Sequence, residues 1–335
     1  MLRRGERPNP DVTSPVLASG QIRRCWYRPL SVNVLLLVNS SASSVTARTR
    51  VVIQKALSAD HDVTTAETSR RGHATRLAQG AAATGTQAVV VLGGDGTLNE
   101  AANGLAGTAT ALASLPGGST NVFARTLGLP DDPVEATGVL LDALGRKSIR
   151  RIGLGSVNGR YFLFHVGMGF DAAVVRQVER RDFLKRWASH AWFAWCAVDT
   201  WLRHYDRSRP RFAVHHPDGT IVDDASFALC LNTNPYTYVG RRPFNAAPDA
   251  TLDRGLVMLS FRTLDLFPLL GVAASALVTG ERLRRSRHTE YRTDLGSARV
   301  TGYGPFPYQV DGDYLGETTE LRLRHEPEIL DLVIP

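Results

Sequence analysis

Three cysteines, three methionines and three lysines stand in 335 residues, and each scarcity excludes something. Cys25, Cys196 and Cys230 are far apart, odd in number and without metal-ligand spacing, which argues against a disulfide framework and fits a reducing compartment. No stretch reaches the ~18 apolar residues of a membrane span. The nearest, Trp187–Leu202 and Leu264–Val278, are broken by His190 and Asp199 and by Asp265 and Pro268. A secretory signal is missing too: residues 1–30 are rich in arginine and proline, and the first apolar run, Val34–Val38, is far too short. Neither Gly-x-x-x-x-Gly-Lys-[Ser/Thr] nor Gly-x-Gly-x-x-Gly occurs, so a P-loop and a dinucleotide fingerprint are excluded. There is no internal repeat and no nucleic-acid module.

What is present is an ordinary globular composition, 43% hydrophobic and 21% charged, long enough for two or three domains at about 100–200 residues each. The formal charge of +7 is carried almost wholly by arginine. Such a balance favours an anionic partner, whether membrane surface, phosphorylated substrate or nucleic acid, without choosing among them.

Residues 1–30 read as a disordered basic tail. From residue 31 short apolar runs alternate with helical stretches. Val32–Val38, Val63–Ala66, Ala88–Leu92 and Ala111–Leu115 are predicted strands; Val45–Leu57, His73–Ala83, Leu98–Leu105 and Asn121–Leu127 are predicted helices. This alternation predicts a Rossmann-like α/β domain with a parallel sheet over 31–150. Beyond it, Tyr161–Val166, Arg211–His215, Ser226–Leu231, Leu256–Phe261 and Ala298–Thr301 predict a mainly antiparallel β-sandwich over 151–335. Helical insertions are expected near Val174–His204 and Leu266–Arg284.

Two glycine loops carry the chemistry. In Gly93-Gly94-Asp95-Gly96-Thr97, a buried strand runs into a helix; glycines let backbone amides approach an anion, and the helix N-terminus favours a phosphate. Asp95 could hold a divalent cation beside that phosphate, or merely cap the helix. Pro116-Gly117-Gly118-Ser119-Thr120-Asn121 repeats the logic on the next strand, with Ser119 or Thr120 as phosphate ligand or cap. With no lysine nearby, Arg125 is a candidate for added phosphate charge. Late in the chain, Val310-Asp311-Gly312-Asp313 reads on its own as a hairpin turn. His165, His215 and His216 show no ligand pattern and read as structural.

Taken as a set, these residues resemble the diacylglycerol kinase catalytic family, the bacterial soluble lipid kinases related to sphingosine and ceramide kinases. The resemblance runs from Leu37-Val38-Asn39 through Thr68, Gly72-His73-Ala74, Gly93–Glu100 and Leu115–Arg125 to Val310–Asp313. It implies ATP bound between the two domains by Asn39, Thr68, Gly93, Gly94, Asp95, Gly96, Thr97, Glu100, Gly118, Ser119 and Thr120. It also implies Mg2+ organised by Asp95, Asp313 as general base where the family usually has glutamate, and Asp311 positioning metal or base. An Asp-Gly metal site of bacterial relatives is offset here, at Asp253-Arg254-Gly255, and is not expected. The implied activity is phosphoryl transfer to a lipid hydroxyl, first of all that of diacylglycerol. Sphingoid or ceramide acceptors, an NAD-kinase-like enzyme and a catalytically inactive binding protein are the alternatives. The implied setting is cytoplasmic, peripheral at the inner membrane surface, with no nucleic acid. Tryptophans of 187–201 with flanking arginines suit an anionic membrane interface or a core helix. The oligomeric state is not specified.

Overall fold

The computed structural model describes residues 31–180 and 190–335; the expected tail over 1–30, Cys25 and the Phe183–Trp187 segment lie outside the described residues. The chain opens with β1 (Asn33–Val38), α1 (Ala47–Ser58), β2 (Asp62–Glu67), α2 (His73–Ala83), β3 (Ala88–Gly93), α3 (Asp95–Leu105) and β4 (Ala111–Pro116). The four strands are parallel in the order β2-β1-β3-β4. Every residue of β3 and β4 is buried, because helices cover both faces of the sheet. Leu35, Leu37, Val89 and Val91 face α2 and α3, while Val34, Leu36, Val90 and Leu92 alternate to the opposite core with Ile53 and Leu57 of α1. Two further helices follow, α4 (Val122–Thr126) and α5 (Pro133–Gly145). The sequence reading lacked α5, although Asp132 caps it through the amides of Val134 and Glu135 with proline at its first turn.

The predicted helix at Leu98 begins three residues earlier, so Asp95-Gly96-Thr97 is helical first turn rather than loop. The predicted strand Tyr161–Val166 is two strands, β6 (Arg160–Phe162) and β7 (His165–Gly169), preceded by β5 (Ile149–Val157). After β7 come α6 (Phe170–Glu179), α7 (His190–Asp199) and a π-helical turn, Thr200–His204. Strands β8 (Phe212–His215), β9 (Ile221–Ala225), β10 (Phe227–Leu231), the small hairpin β11 (Thr237–Val239) and β12 (Arg242–Phe244), and β13 (Leu256–Phe261) precede α8 (Leu266–Ala276) and α9 (Glu281–Arg285). The chain closes with β14 (Thr289–Leu295), β15 (Ser297–Val310) and β16 (Asp313–Val333).

Outside the β11–β12 hairpin, the strands form one continuous 14-stranded sheet. Its second part is antiparallel, as expected, and encloses a core including Phe212, Met258, Phe306 and Leu323. The junction is β16. Its first half pairs β15, its second half pairs β5, and Leu332 lies beside Leu112 of β4 in parallel. The last residues of the chain therefore extend the sheet formed by the first hundred.

Candidate active site

The carboxyl ends of the four parallel strands form one row: Val38 lies beside Glu67 and Leu92, and Gly93 beside Pro116. The residues that follow are thereby gathered. Asn39, after β1, donates through Nδ2 to Thr97 Oγ1 (2.9 Å), and Thr68, after β2, donates its amide to the Val38 carbonyl. The two glycine loops press directly together. A Cβ on Gly117 would lie 2.8 Å from the Gly93 nitrogen, and one on Gly118 2.8 Å from Gly94 Cα. Glycine is required there for close backbone approach, whereas Gly96 faces open space. Gly118 is occupied locally, its amide donating to Asn121 Oδ1 (2.7 Å).

Asp95 ties the loops from the other side. Its two carboxylate oxygens accept the Val122 and Phe123 amides (2.9 and 3.1 Å), the unpaired donors at the start of α4. Burial raises its pKa above the usual aspartate value, and those two amides oppose the rise. A carboxylate has about four acceptor positions, so Asp95 retains capacity for a cation or its waters. Among the described residues, no group of three or more His, Cys, Asp or Glu could hold a metal by itself. The donor set suits an ion such as Mg2+, which is typically bound by one or two carboxylates, phosphates and water.

Glu100 has a different place. Its oxygens accept the Gly72 and Ala74 amides (2.7 and 3.1 Å), capping α2 from α3. Arg125 turns away from the loops: its guanidinium stacks 3.7 Å from the Tyr238 ring centroid and donates to the Gly240 carbonyl. The expectation that it meets phosphate charge is therefore corrected. Asp253 pairs with Arg150 (3.5 Å).

A cavity of about 440 Å³ opens beside the loops, lined by Asp95, Ser119 and Thr120 from the first domain and by His165, Glu179 and Asp311 from the second. Asp311 and Gly312 have φ of +50° and +84°, the left-handed pair of a two-residue hairpin turn joining β15 and β16. The turn reading holds, and this turn carries the Asp311 carboxylate inward. Its Oδ2 accepts from Asn99 Nδ2 (2.6 Å) and the Leu163 amide (2.7 Å); its Oδ1 accepts from the Phe164 and His165 amides (both 2.9 Å). These amides break the predicted 161–166 strand in two. Burial outweighs the three backbone amides and the nearby Arg160 charge and lifts the Asp311 pKa to about 7.

Asp313 is not among the residues lining the cavity. Arg71 and Arg160 hold its two oxygens at 3.2 and 3.1 Å. Glu179, which does line the cavity, accepts the Tyr314 amide (3.2 Å) and lies 3.7 Å from the same Arg71. Glu179, Arg71, Arg160 and Asn99 had no assigned role from sequence. Only Asn99 carried a signal, four residues after Asp95 on the same helical face.

The cavity's far wall is Tyr236. Its hydroxyl donates to Asp171 Oδ1 (2.6 Å), Gln309 Nε2 donates to Asp171 Oδ2 (2.7 Å), and its ring lies 4.2 Å from that of His165. Burial pushes the His165 pKa down to about 3, so the ring is neutral. Tyr236 and Phe193 also line a second cavity of about 160 Å³, walled by Phe227, Phe261 and Leu269. An apolar pocket thus continues from a carboxylate-lined one.

Residues 33–157 match the family of the diacylglycerol kinase catalytic domain. The chain is 31% identical over 228 residues to a Chromohalobacter salexigens protein named "Probable lipid kinase YegS-like", covering 67% of this chain and 69% of that one. It is 38% identical over 121 residues to the "Diacylglycerol kinase" of Bacillus subtilis, covering 35% of this chain and 39% of that protein, less than half its length. A crystal structure of a diacylglycerol kinase from Bacillus anthracis matches with a TM-score of 0.63 over 90% of this chain and 97% of that one, at 19% identity, a likeness of fold.

Proposed function

Because the chain belongs to the diacylglycerol kinase catalytic family, we propose that it is an ATP- and Mg2+-dependent lipid kinase acting on the hydroxyl of diacylglycerol to give phosphatidic acid. The observation that carries this reading is α3. Its first residue, Asp95, sits between the glycine loops, and one turn later Asn99 grips Asp311 across the domain junction. The place for a phosphate and the place for an acceptor hydroxyl thus share one rigid element and one cavity.

In this reading the ATP phosphates lie against the backbone of Gly94–Thr97 and the hydroxyls of Ser119 and Thr120, at the N-terminus of α3. Asn39 and Thr68 lie at the adjoining strand ends. Asp95 would hold the Mg2+, which supplies charge neutralisation on the transferring phosphoryl group. The acceptor hydroxyl sits near Asp311, its chain in the apolar cavity beyond Tyr236. The sequence resemblance put the general base at Asp313, but the geometry favours Asp311. Asp311 lines the cavity, and its elevated pKa suits proton acceptance near neutrality once the acceptor hydroxyl takes the place of one of its four donors, whereas two arginines hold Asp313. Asp313 and its arginines then fix the turn that carries Asp311. A cytoplasmic location, peripheral at the inner membrane surface, belongs to the same proposal; among the described residues no helix is long and apolar enough to span a bilayer.

The test is transfer of label from [γ-32P]ATP to diacylglycerol, sphingosine, ceramide and NAD in parallel. Diacylglycerol is expected to give the lipid-soluble product. Asp311→Asn should lower kcat by about 10²–10⁴, the usual worth of a general base, and Asp313→Asn by much less. No labelled lipid with any acceptor would remove the kinase reading, and the reverse order of the two variants would return the base to Asp313.

A further inference from the structure

Helix α8 is apolar on both faces, unlike an ordinary surface helix. Its inner face, Leu269, Val272 and Ala273, walls the 160 Å³ aromatic cavity. Its outer face and the turn after it present Phe267, Leu270, Gly271, Ala274, Leu277 and Val278, at spacings that put them on one side. Phe267 is 85% exposed, Val278 73% and Leu270 56%. Single exposed apolar residues need no explanation, but a whole helical face of them does. At eleven residues the helix is about 16 Å long, half of the ~30 Å of a bilayer core, so it can enter one leaflet and cannot cross.

The flank of this face is basic. A groove of about 710 Å³ lies between α8 and α9, with Pro268, Gly271 and Val272 on one side and Arg282 and Arg285 on the other. Arg284 is neutralised by Asp249 and Glu281. By contrast Arg282, Arg285 and Arg287 form no ion pair among the described residues, and all three are exposed. An apolar face beside uncompensated arginines is the chemistry of an anionic membrane surface, with the hydrocarbon taking the former and lipid phosphates the latter.

We propose that α8 and the groove between α8 and α9 are the surface by which this chain docks on an anionic bilayer. Phe267, Leu270 and Val278 enter the acyl region while Arg282 and Arg285 meet headgroup phosphates. The orientation sets the aromatic cavity under α8 directly against the leaflet, giving an acceptor chain a path to the Tyr236 wall; that last consequence rests on the lipid-kinase reading, whereas the docking does not. Trp201, in the tryptophan-rich stretch whose sequence suits either an interface or a core helix, adjoins this surface: its indole donates to the Leu264 carbonyl just before α8 (2.7 Å).

The experiment is flotation of the full chain with vesicles of phosphatidylcholine alone or of equal parts phosphatidylcholine and phosphatidylglycerol. Light scattering and kinase assays on a dispersed short-chain diacylglycerol run alongside. The wild type should float with the anionic vesicles and far less with the neutral ones. Phe267→Glu and, independently, Val278→Glu should each weaken flotation about tenfold or more. Arg285→Ala should weaken it about fivefold, an effect erased by high salt. Turnover of the dispersed substrate should be unchanged in all three. Flotation of the two glutamate variants equal to wild type overturns the proposal, as does failure of the wild type to float. A stable dimer dissolved by Phe267→Glu also overturns it, assigning the face to a second copy of the chain. Vesicle binding without any lipid turnover would uphold the surface and sink the kinase reading instead.

Discussion

Replacing Asn99 by alanine tests the coupling between the two halves of the site. Asn99 Nδ2 donates to Asp311 Oδ2 at 2.6 Å, the shortest of the four contacts that hold this carboxylate. A hydrogen bond to a charged group is worth about 1.5–3 kcal/mol. This one favours the ionised form, and about 1.4 kcal/mol corresponds to one pH unit. Its loss should therefore raise the Asp311 pKa, now about 7, by about one to two units. The sign follows from the role. A base must be deprotonated, so the rate of the wild type climbs as pH rises through about 7, and in Asn99→Ala that climb moves to more alkaline pH. At pH 7 the variant should lose about five- to fiftyfold in kcat and recover most of it on the alkaline plateau. The assay is kcat against pH for both proteins at saturating ATP and lipid. A uniform loss with the acid limb unmoved would mean that Asn99 only braces the edge of β6, through the Tyr161 carbonyl it also reaches at 3.2 Å, and would refute the reasoning.

The glycine loops give a paired test. Gly117→Ala drives a Cβ to within 2.8 Å of Gly93 backbone, which cannot turn aside, and should cost about 1–3 kcal/mol in urea unfolding. Gly96→Ala meets nothing within 4 Å in the first turn of α3; it should leave stability unchanged or raised by up to about 1 kcal/mol, yet weaken ATP in isothermal titration because the methyl occupies the phosphate approach. Tyr236→Phe removes the hydroxyl that donates to buried Asp171 at 2.6 Å and should destabilise the fold by about 1–3 kcal/mol in denaturant titration. Unaltered stability would mean that Gln309 alone satisfies Asp171.

Legibility followed the range of the interactions. Strands β1 to β4 were readable to within about a residue at each end, because β1, β3 and β4 are short, largely apolar runs and β2 carries a shorter Val63–Ala66 stretch rich in β-branched residues, and His73–Ala83 coincides with α2. The start of α3 was not, since Gly94 at its N-cap and Gly96 in its first turn look like loop until Asp95 is seen at its N-terminus. Strand β16 escaped notice for a different reason. Only Leu321 and Leu323 of its first half are in the core, and the charged stretch around Pro327 interrupts alternation where the register shifts between Glu326 and Leu330. The 161–166 break is caused by Asp311, about 150 residues away, and no local pattern can register it. The motifs placed Asp95, Ser119 and Asp311 around one cavity, but which carboxylate faces it depended on Arg71 and Arg160, whose pairing with Asp313 joins segments far apart in the chain.

These ties bear on how a lipid could reach the site. Asp95 and Asn99 are one helical turn apart, about 6 Å of rise, so the glycine loops and Asp311 cannot separate without breaking the Asn99 contact. The same junction is crossed by β16, whose two halves pair with strands of both domains, and by Arg71, which reaches from the loop before α2 to Asp313 and Glu179. Opening by a hinge between the domains would have to break all three links together, two of them buried in sheet or helix. On the opposite side the cavities are roofed by α7 and α8 through apolar side chains, Phe193, Ala197, Leu269 and Val272, with the Trp201 indole donating to the Leu264 carbonyl beside them. Apolar side chains can repack around a hydrocarbon chain at little cost, because its contacts replace those it displaces. Admission of an acyl chain should therefore part the helices of the roof and leave the domain junction closed, keeping Asp95 and Asp311 in register while the acceptor enters.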